Sequence, residues 1–331
     1  MLERFKILFI EGWKGFLFAV FVGTTSYLIC DSIQSPLVDV LLVSLLLGMV
    51  IRTMFCDCCT DLVKGFYLAP LVFIPVGVIL YGAVNLKFGL ITEVKASLIF
   101  LLLAIVAVYF SVILWLGKIL KLKKKITYLI ATGSAICGAS AITITTPAVD
   151  ADPEDVSISL ISIFIVALVG LFIIVPVLEK LFGLSAETYA VLSGMIFQFT
   201  GFVKASVSKL PEELAGLALS IKATRYMVLL VSIPFFASLT RNKIRTPWFL
   251  WAFLASGFAA FYFPSVIEPL IPTFKPLLGI VWSIALVGIG LTADIRAVWS
   301  QDGIKALGVA FGGFLAAITV FLFLVSAIIN H

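Results

Sequence analysis

The segment ATGSAICGASAITITTP, residues 131–147, decides how this chain is organised. The basic run KLKKK (121–125) precedes it and the acidic loop DADPED (150–155) follows it, so we expect the segment to cross a bilayer. Its middle consists of Gly, Ala, Ser, Cys and Thr, which cover little apolar area, and glycine weakens a helix. We therefore predict a membrane helix that breaks near Gly138 and leaves the backbone N–H groups of Ala139 and Ser140 free.

The composition places the whole chain in a membrane. Of its 331 residues, 62% are hydrophobic and only 12% are charged, whereas a soluble domain carries about 25% charged residues. Apolar runs of about 20 residues, long enough to cross the hydrocarbon core, recur along the chain. We predict an all-α polytopic protein, a single integral membrane domain over 1–331, with helices at about 13–30, 36–52, 65–86, 96–117, 126–147, 156–178, 188–204, 212–239, 247–264, 276–294 and 305–329.

The basic residues predict the orientation. Most of the 23 lysines and arginines fall in alternate loops of these eleven helices. Because positive charge accumulates in cytoplasmic loops, the bias predicts a cytoplasmic N-terminus and an outer C-terminus in the plasma (inner) membrane. The KLKKK run is then an inner-face anchor on anionic membrane lipid. Nothing in the charge pattern indicates nucleic acid as a partner.

The cysteines predict neither a disulfide framework nor a metal site. Three of the five lie together at Cys56, Cys58 and Cys59, next to a loop that we place in the reducing cytoplasm. A metal site there needs a fourth ligand, and the single histidine is His331 at the far end. We predict no metal and no cofactor.

Ten of the eleven helices divide into two sets of five. We predict an extra N-terminal helix in 1–35, a first repeat in 36–180 and a second repeat, inverted in the membrane, in 186–331. The fourth helix of the first repeat is the opening segment, and that of the second softens at Gly288–Thr292. Glycine-interrupted segments at matching positions indicate a transport site between two crossing discontinuous helices. The alternative is that small residues only let helices pack closely.

Two cations lie deep inside the helix predicted at 212–239. Lys222 and Arg225 are three residues apart and therefore share one helix face. An unpaired cation near mid-membrane costs at least about 2.5–3.5 kcal/mol on insertion scales. These residues either form a site for an anion or are paired internally with a carboxylate, for which Asp39 is the best candidate.

Three motifs carry a resemblance to a known family. GSAICGASAI (133–142) resembles the signature of the YeiH-type sulfate exporter family, which is grouped with the bile acid:sodium symporter-like superfamily. IKATRYMVL (221–229) is similar to that family's Lys-x-x-Arg helix, and GIGLTADIRAV (288–298) followed by GIKAL (303–307) is similar to its penultimate-helix motif. The resemblance implies an inverted-repeat fold with crossing discontinuous helices, support helices, a moving core and a small transported anion.

One stretch departs from the family pattern. The family usually carries a His-acid pair in the first helix of its second repeat, where this chain reads SGMIFQFTGFVKASVSK (193–209) with Phe197 and Gln198. A histidine could carry a coupling proton there, and this chain has none at that place. Gln198 and Thr200 remain candidate polar ligands, although Gln198 could equally make a hydrogen bond between helices.

The sequence thus predicts a secondary transporter that moves a small anion by alternating access. The first alternative is a sodium-coupled organic anion symporter. An anion channel or receptor is a less favoured alternative. The motif GASA (138–141) superficially resembles a protease serine motif but has no base beside it, so we predict that the chain is not an enzyme. The coupling ion, H⁺ or Na⁺, and a homodimeric state are left open. The candidate substrate-binding residues are Ser134, Cys137, Gly138, Ala139, Ser140, Gln198, Thr200, Lys222, Arg225, Gly290 and Thr292.

Overall fold

A computed structural model describes residues 2–33, 35–54, 62–86, 94–241, 248–293 and 295–328. The prediction of an all-α protein is confirmed, because the regular elements in these ranges are all helical. The α-helices are α1 (Leu2–Ile33), α2 (Val40–Met54), α3 (Val63–Asn85), α4 (Ala96–Ile119), α5 (Lys124–Ala135), α6 (Ala139–Thr145), α7 (Pro153–Val169), α8 (Val175–Phe182), α9 (Ala186–Ile196), α10 (Thr200–Ser206), α11 (Glu212–Thr224), α12 (Leu229–Arg241), α13 (Trp248–Tyr262), α14 (Pro264–Ile267), α15 (Ile271–Gly290) and α16 (Gln301–Ile328).

Many of these helices are long and apolar enough to cross a bilayer. Two shorter apolar helices, Val40–Met54 and Trp251–Tyr262, accompany the long ones, and two further helices near predicted spans are interrupted. The total of eleven membrane crossings stays a prediction. The long helical stretches are Gly12–Ile33, Val63–Asn85, Ala96–Ile119, Pro153–Phe182, Glu212–Thr240, Pro264–Gly290 and Gln301–Val325.

The chain divides into two compact units. The first comprises the described residues of 1–85, 152–157 and 247–300, and the second those of 86–151, 158–246 and 301–331. Each unit draws on both halves of the chain, so compactness does not test the division into repeats at 36–180 and 186–331, which stays a prediction. Cys56, Cys58, Cys59 and His331 lie outside the described residues.

The first unit is built on close approach between helices. Its core contains Ala19 of α1, Phe66 and Ala69 of α3, and Ile284 and Val287 of α15, all of them buried. Helix α1 packs against α3 at glycines, and α15 packs against α1, α2 and α3. Dispersion between closely packed surfaces is the main force holding helices together in lipid.

The predicted break at Gly288–Thr292 is wrong. Helix α15 runs unbroken to Gly290 and ends in a turn in which the Leu291 N–H donates to the Val287 carbonyl at 2.8 Å. A Cβ on Gly288 would meet α3, and one on Gly290 would meet the backbone of α2. These glycines therefore serve close packing, which was the alternative interpretation, and the Thr292 hydroxyl bonds back to the helix at Ile289.

The second unit contains the two interrupted helices. The first interrupted helix is α5–α6, which has a break at residues 136–138, and the second is α9–α10, which has a break at residues 197–199. Helices α4, α11, α12 and α16 and most of α7 belong to the same unit. A 3₁₀ turn, Arg225–Val228, separates α11 from α12. The prediction of two discontinuous helices is confirmed, but the second one lies at a different place in the chain.

Candidate functional site

The first break follows from one glycine. Gly138 has φ +68° and ψ −125°, in a region that residues with a Cβ rarely adopt. Ile136 is also non-helical, with φ −117° and ψ −87°, and the Gly138 N–H donates to the Gly133 carbonyl at 2.9 Å. Helix α6 then begins at Ala139. The predicted break near Gly138 is confirmed.

The second break has no glycine within it. Helix α9 ends at Ile196, and Phe197 and Phe199 are extended, with ψ 134° at each, before α10 begins at Thr200. Aromatic residues are weaker helix formers than Ala or Leu, so the sequence Phe-Gln-Phe carries only a faint local signal. Sequence reasoning selected Gln198 and Thr200 as polar ligands but did not predict that the helix breaks between them.

Lys222 ties the two breaks together. Its side chain is completely buried. The ammonium group donates to the Ile136 carbonyl at 2.7 Å, to the Phe197 carbonyl at 2.9 Å and to the Gln198 carbonyl at 2.6 Å. An ammonium group has three donors, and all three are used. One side chain therefore satisfies carbonyls freed in both interrupted helices.

Arg225 makes a second set of bonds to the same two helices. Its side chain is also completely buried. Nε donates to the Ala135 carbonyl at 3.0 Å and Nη2 to the Ser134 carbonyl at 2.8 Å, at the end of α5. Nη1 donates to the carbonyls of Phe197 at 2.8 Å and Gly194 at 3.3 Å, at the end of α9.

Both cations thus share the Phe197 carbonyl, as their common helix face predicts. The two breaks, 136–138 and 197–199, the ends of α5, α6, α9 and α10 that flank them, and Lys222 and Arg225 are together called the junction below. Of the two alternatives, the structure does not show internal pairing with a carboxylate, because the hydrogen-bond partners of both side chains are backbone carbonyls. Asp39 instead accepts from the Leu42 N–H at 2.9 Å at the start of α2.

The junction carries net positive charge. The C-termini of α5 and α9 carry partial negative charge at the breaks, and the N-termini of α6 and α10 carry partial positive charge there. Within the described residues, no carboxylate makes an ion pair with Lys222 or Arg225. Positive charge therefore remains in a buried setting, where electrostatic interactions are stronger than in water.

Only a few side chains near the breaks are partly exposed. Ser140 in the first turn of α6 and Thr200 at the start of α10 are half-buried, whereas the residues of both breaks are buried. The Ser140 hydroxyl makes a long hydrogen bond of 3.4 Å to the Cys137 carbonyl. The Thr200 hydroxyl lies 3.0 Å from the hydroxyl of Tyr226. Of the candidate residues in the second unit, these two carry the partly exposed polar side chains.

Two tyrosines that were not among the predicted site residues also contribute to the junction. The hydroxyl of Tyr226 forms a hydrogen bond with the hydroxyl of Thr200. Its position directly after Arg225 was the only feature of the sequence that could have pointed to it. Tyr109, on α4, is completely buried and donates from its hydroxyl to the Ile196 carbonyl at 3.1 Å. Tyr109 therefore supports the broken end of α9 from a third helix.

Gln198 has an unsatisfied side-chain oxygen. The residue is 1% exposed, and its Oε1 has no hydrogen-bond donor. Leaving a buried acceptor without a donor costs about 1–3 kcal/mol. The carboxamide thus provides an acceptor, next to the two cations, for a water molecule or a protonated solute group. Its backbone carbonyl, rather than its side chain, is the group that binds Lys222.

Aromatic rings pack over the first break. A Cβ on Gly138 would lie 3.0 Å from the ring of Phe199, so the two breaks are in direct contact. Phe199 in turn contacts Phe164 and Phe202, with ring centroids 5.4 and 5.3 Å apart. The three rings therefore pack together over the two breaks. This packing also accounts for aromatic residues in a stretch that was predicted to be helical.

The structure brings together nine of the eleven predicted residues. Gly290 and Thr292 belong to the first unit and take the packing roles described above. Cys137 is buried with a free thiol, and Ser134 contributes its backbone carbonyl to Arg225. The nine residues of the second unit at the junction are Ser134, Cys137, Gly138, Ala139, Ser140, Gln198, Thr200, Lys222 and Arg225.

The apolar helices and the two interrupted ones define a multi-pass helical membrane protein with a charged junction between discontinuous helices. The family model described as conserved hypothetical protein 698 matches residues 14–310, and the chain belongs to this family. The YeiH-type resemblance fits this assignment, while the wider superfamily grouping stays a prediction.

Relatives with similar sequences are UPF0324 membrane proteins. The one from Archaeoglobus fulgidus is 28% identical over 316 residues, covering 94% of this chain and 92% of the relative. That from Brucella melitensis is 31% identical over 253 residues, covering 72% and 69%, and one from Bacillus cereus is 26% identical over 314 residues, covering 88% and 89%. No solved structure is significantly similar to this chain.

Proposed function

We propose that this protein is a secondary transporter that moves a small anion across the membrane by alternating access. The observation that carries the proposal is the junction, where two buried cations join two interrupted helices and no carboxylate among the described residues pairs with them. Discontinuous helices with a binding site near the bilayer midplane are typical of secondary transporters. Non-helical backbone at membrane depth is tolerated where protein or a polar cavity surrounds it.

The cations act on the solute through charge rather than through direct contact. All three donors of Lys222 and all but one N–H of Arg225 bond backbone carbonyls. A solute is therefore expected to touch the hydroxyls of Ser140 and Thr200 and the carboxamide of Gln198 while it experiences the remaining positive charge. Sulfate-like oxyanions and small organic anions fit this combination of hydroxyl contacts and positive potential.

A sodium-coupled symporter is the second candidate, and the junction disfavours it. Sodium in such proteins is held by carbonyls of unwound helix segments. Here the carbonyls of Ser134, Ala135 and Ile136 at the first break, and of Phe197 and Gln198 at the second, accept from Lys222 or Arg225. A sodium ion would have to compete with two fixed positive charges for the same oxygens.

The remaining features of the proposal follow from the sequence. We place the protein in the plasma (inner) membrane with the N-terminus inside and the C-terminus outside. We do not expect an enzyme, since the Ser140 hydroxyl donates to the Cys137 carbonyl rather than to a base. Proton coupling and a homodimeric state remain open parts of the proposal.

The test is a flux measurement with the purified protein in liposomes. Uptake of radiolabelled sulfate, thiosulfate, sulfite and a small carboxylate is measured in sodium buffer and in potassium buffer. We expect saturable uptake of at least one oxyanion that does not require sodium. Uptake that disappears when potassium replaces sodium would favour the symporter, and currents far above carrier turnover would indicate a channel.

A pair of double variants locates the site within the second unit. Ser140→Ala/Thr200→Val removes the two reachable hydroxyls of the junction and is expected to abolish or strongly reduce uptake. The matched control is Ser238→Ala/Thr240→Val, which removes two hydroxyls of α12 that bond their own helix. Equal uptake by both double variants would contradict the assignment of the site to the junction.

A further inference from the structure

A cavity lies at the turn between α4 and α5, away from the junction residues. Its volume is about 460 Å³, which is within the roughly 300–1,000 Å³ typical of small-molecule sites. Lys118, Lys121 and Lys124 line it on one side, and Leu114 and Leu239 are among its apolar lining residues. The cavity therefore combines a cationic part with an apolar part.

The cationic part is not neutralised by the protein. All three lysines are exposed, and within the described residues no carboxylate pairs with any of them. None of the lining residues is acidic. The neighbouring Lys123 does approach an acid, with its Nζ 4.0 Å from the Asp302 carboxylate, but it does not line the cavity. Three like charges around one cavity repel each other unless an anion lies between them.

Lys121 has a backbone conformation that usually selects glycine. Its φ is +51°, in the left-handed region, at the point where α4 ends. The Leu122 N–H donates to the Gly117 carbonyl at 2.9 Å, which closes the helix end in the way that a glycine normally allows. A lysine here keeps a strained backbone while placing an ammonium group beside the cavity. Such an outlier raises the hypothesis that the side chain has a role.

The apolar part lies at the level of the membrane surface. The turn at 120–123 follows α4, which is long and apolar enough to cross a bilayer, so we expect the lysines to lie at the level of the headgroups. Trp115 is 61% exposed and Leu239 47% exposed, and both present apolar surface beside the turn. Tryptophan is enriched at membrane interfaces. A ligand in this cavity would therefore have access to acyl chains as well as to the lysines.

We propose that this cavity binds the headgroup of one anionic phospholipid. The ammonium groups of Lys118, Lys121 and Lys124 surround the phosphodiester, and an acyl chain runs along Leu114 and Leu239. Basic cavities beside membrane helices recognise anionic headgroups in this way. The site is independent of the proposed transport function, because none of its lining residues belongs to the junction.

Native mass spectrometry of the purified protein tests the proposal. The protein is equilibrated with mixed micelles of phosphatidylglycerol and phosphatidylcholine, and the lipid that it retains is identified. We expect retention of one phosphatidylglycerol molecule in preference to phosphatidylcholine. The triple variant Lys118→Gln/Lys121→Gln/Lys124→Gln should retain it at least about tenfold less well. The control triple variant Lys95→Gln/Lys204→Gln/Lys209→Gln changes the net charge equally and should behave as the wild type.

A single substitution separates folding from binding. Lys121→Gly removes the ammonium group but suits the left-handed backbone, so the variant should unfold at the same temperature or higher while its preference for phosphatidylglycerol falls. Unchanged retention in Lys121→Gly, or equal loss in the control triple variant, would overturn the site. Displacement of the lipid by excess inorganic phosphate or glycerol phosphate would also overturn it, because the cavity would then take a soluble anion.

Discussion

Two stretches of small residues, 133–140 and 288–292, look alike and behave differently. In the first, Gly138 takes a positive φ and the helix breaks, whereas in the second Gly288 and Gly290 remain helical inside α15. Gly138 is in contact with an aromatic ring of the second break, while Gly290 lies against the backbone of α2. The first stretch therefore interrupts its helix and frees backbone groups, whereas the second lets two helix backbones pack closely.

The difference lies in what receives the freed backbone groups. Breaking a helix leaves carbonyls without partners, and in hydrocarbon each costs several kcal/mol. At the first stretch, Lys222 and Arg225 donate to the carbonyls of residues 134–136. At the second, the end of α15 satisfies its own carbonyls through Leu291 and Thr292. Glycine permits a break, and a distant donor is needed to stabilise it.

Arg225→Ala should have the largest effect on this comparison. It removes donors to four carbonyls in two helices, so we expect the free energy of unfolding to fall by roughly 3–5 kcal/mol, as when a buried charged partner is removed. Thermal unfolding in detergent measures the change. The stability of Arg225→Lys should lie between those of the wild type and Arg225→Ala, because lysine keeps the charge but has fewer donors. The exposed Lys204→Ala serves as control. Wild-type stability in Arg225→Ala would mean that the breaks do not depend on these bonds.

Gly290→Ala should have the second-largest effect on stability, and this effect should be confined to the first unit. The added Cβ would collide with the backbone of Leu45 in α2, and such overpacking costs about 1–3 kcal/mol. We expect a lower unfolding temperature with the transport KM unchanged in the protein that remains folded. A changed KM with wild-type stability would show that Gly290 belongs to the solute site, as the sequence first suggested.

Gly138→Ala should have a comparable or smaller effect on stability and a clear one on transport. A residue with a Cβ in this sparsely populated backbone region costs about 1–3 kcal/mol, and the ring of Phe199 must move by a few tenths of an ångström. We expect reduced maximal flux in liposomes. Gly216→Ala is the matched control, because no atom lies near its Cβ and alanine should stabilise α11 by roughly 0.5–1 kcal/mol. Normal flux in Gly138→Ala would remove the first break from the transport path.

Thr200→Val should have the smallest effect on stability. It loses one hydrogen bond, to the Tyr226 hydroxyl, worth about 1 kcal/mol. We expect an increase of roughly fivefold in the KM for the transported anion, with the unfolding temperature nearly unchanged. Tyr226→Phe removes the other half of the same bond and should give a similar KM. A normal KM in both variants would place the solute elsewhere.

The second break shows how far the sequence could be used to predict the site. The break at Gly138 could be predicted from the sequence, because only glycine adopts its backbone angles easily. The break at Phe197-Gln198-Phe199 could not be predicted from the sequence, because none of its residues requires a positive φ or excludes a helix. The break is stabilised by donors from Lys222, Arg225 and Tyr109, which lie 24 to 87 residues away from the carbonyls that they bond. Long-range partners of this kind leave no local pattern.

The cations show the same limit in another way. Their depth and common face followed from spacing along one helix, and their burial is confirmed. Their partners were expected to be an anion or a carboxylate, since these are the usual partners of a charged group in a membrane. The carbonyl ends of two broken helices can serve equally well, but only when the tertiary structure aims them at the same point.

The sequence by itself determined the membrane class, the helical architecture, the break at Gly138 and the burial of Lys222 and Arg225. These features depend on hydrophobicity, glycine geometry and helical periodicity, which act within one segment. The tertiary structure alone decided where the second break lies, what the cations bind and that Gly290 packs instead of opening. Those features depend on which backbone groups meet across helices, because a carbonyl in an apolar setting is stable only where a donor from elsewhere in the chain reaches it.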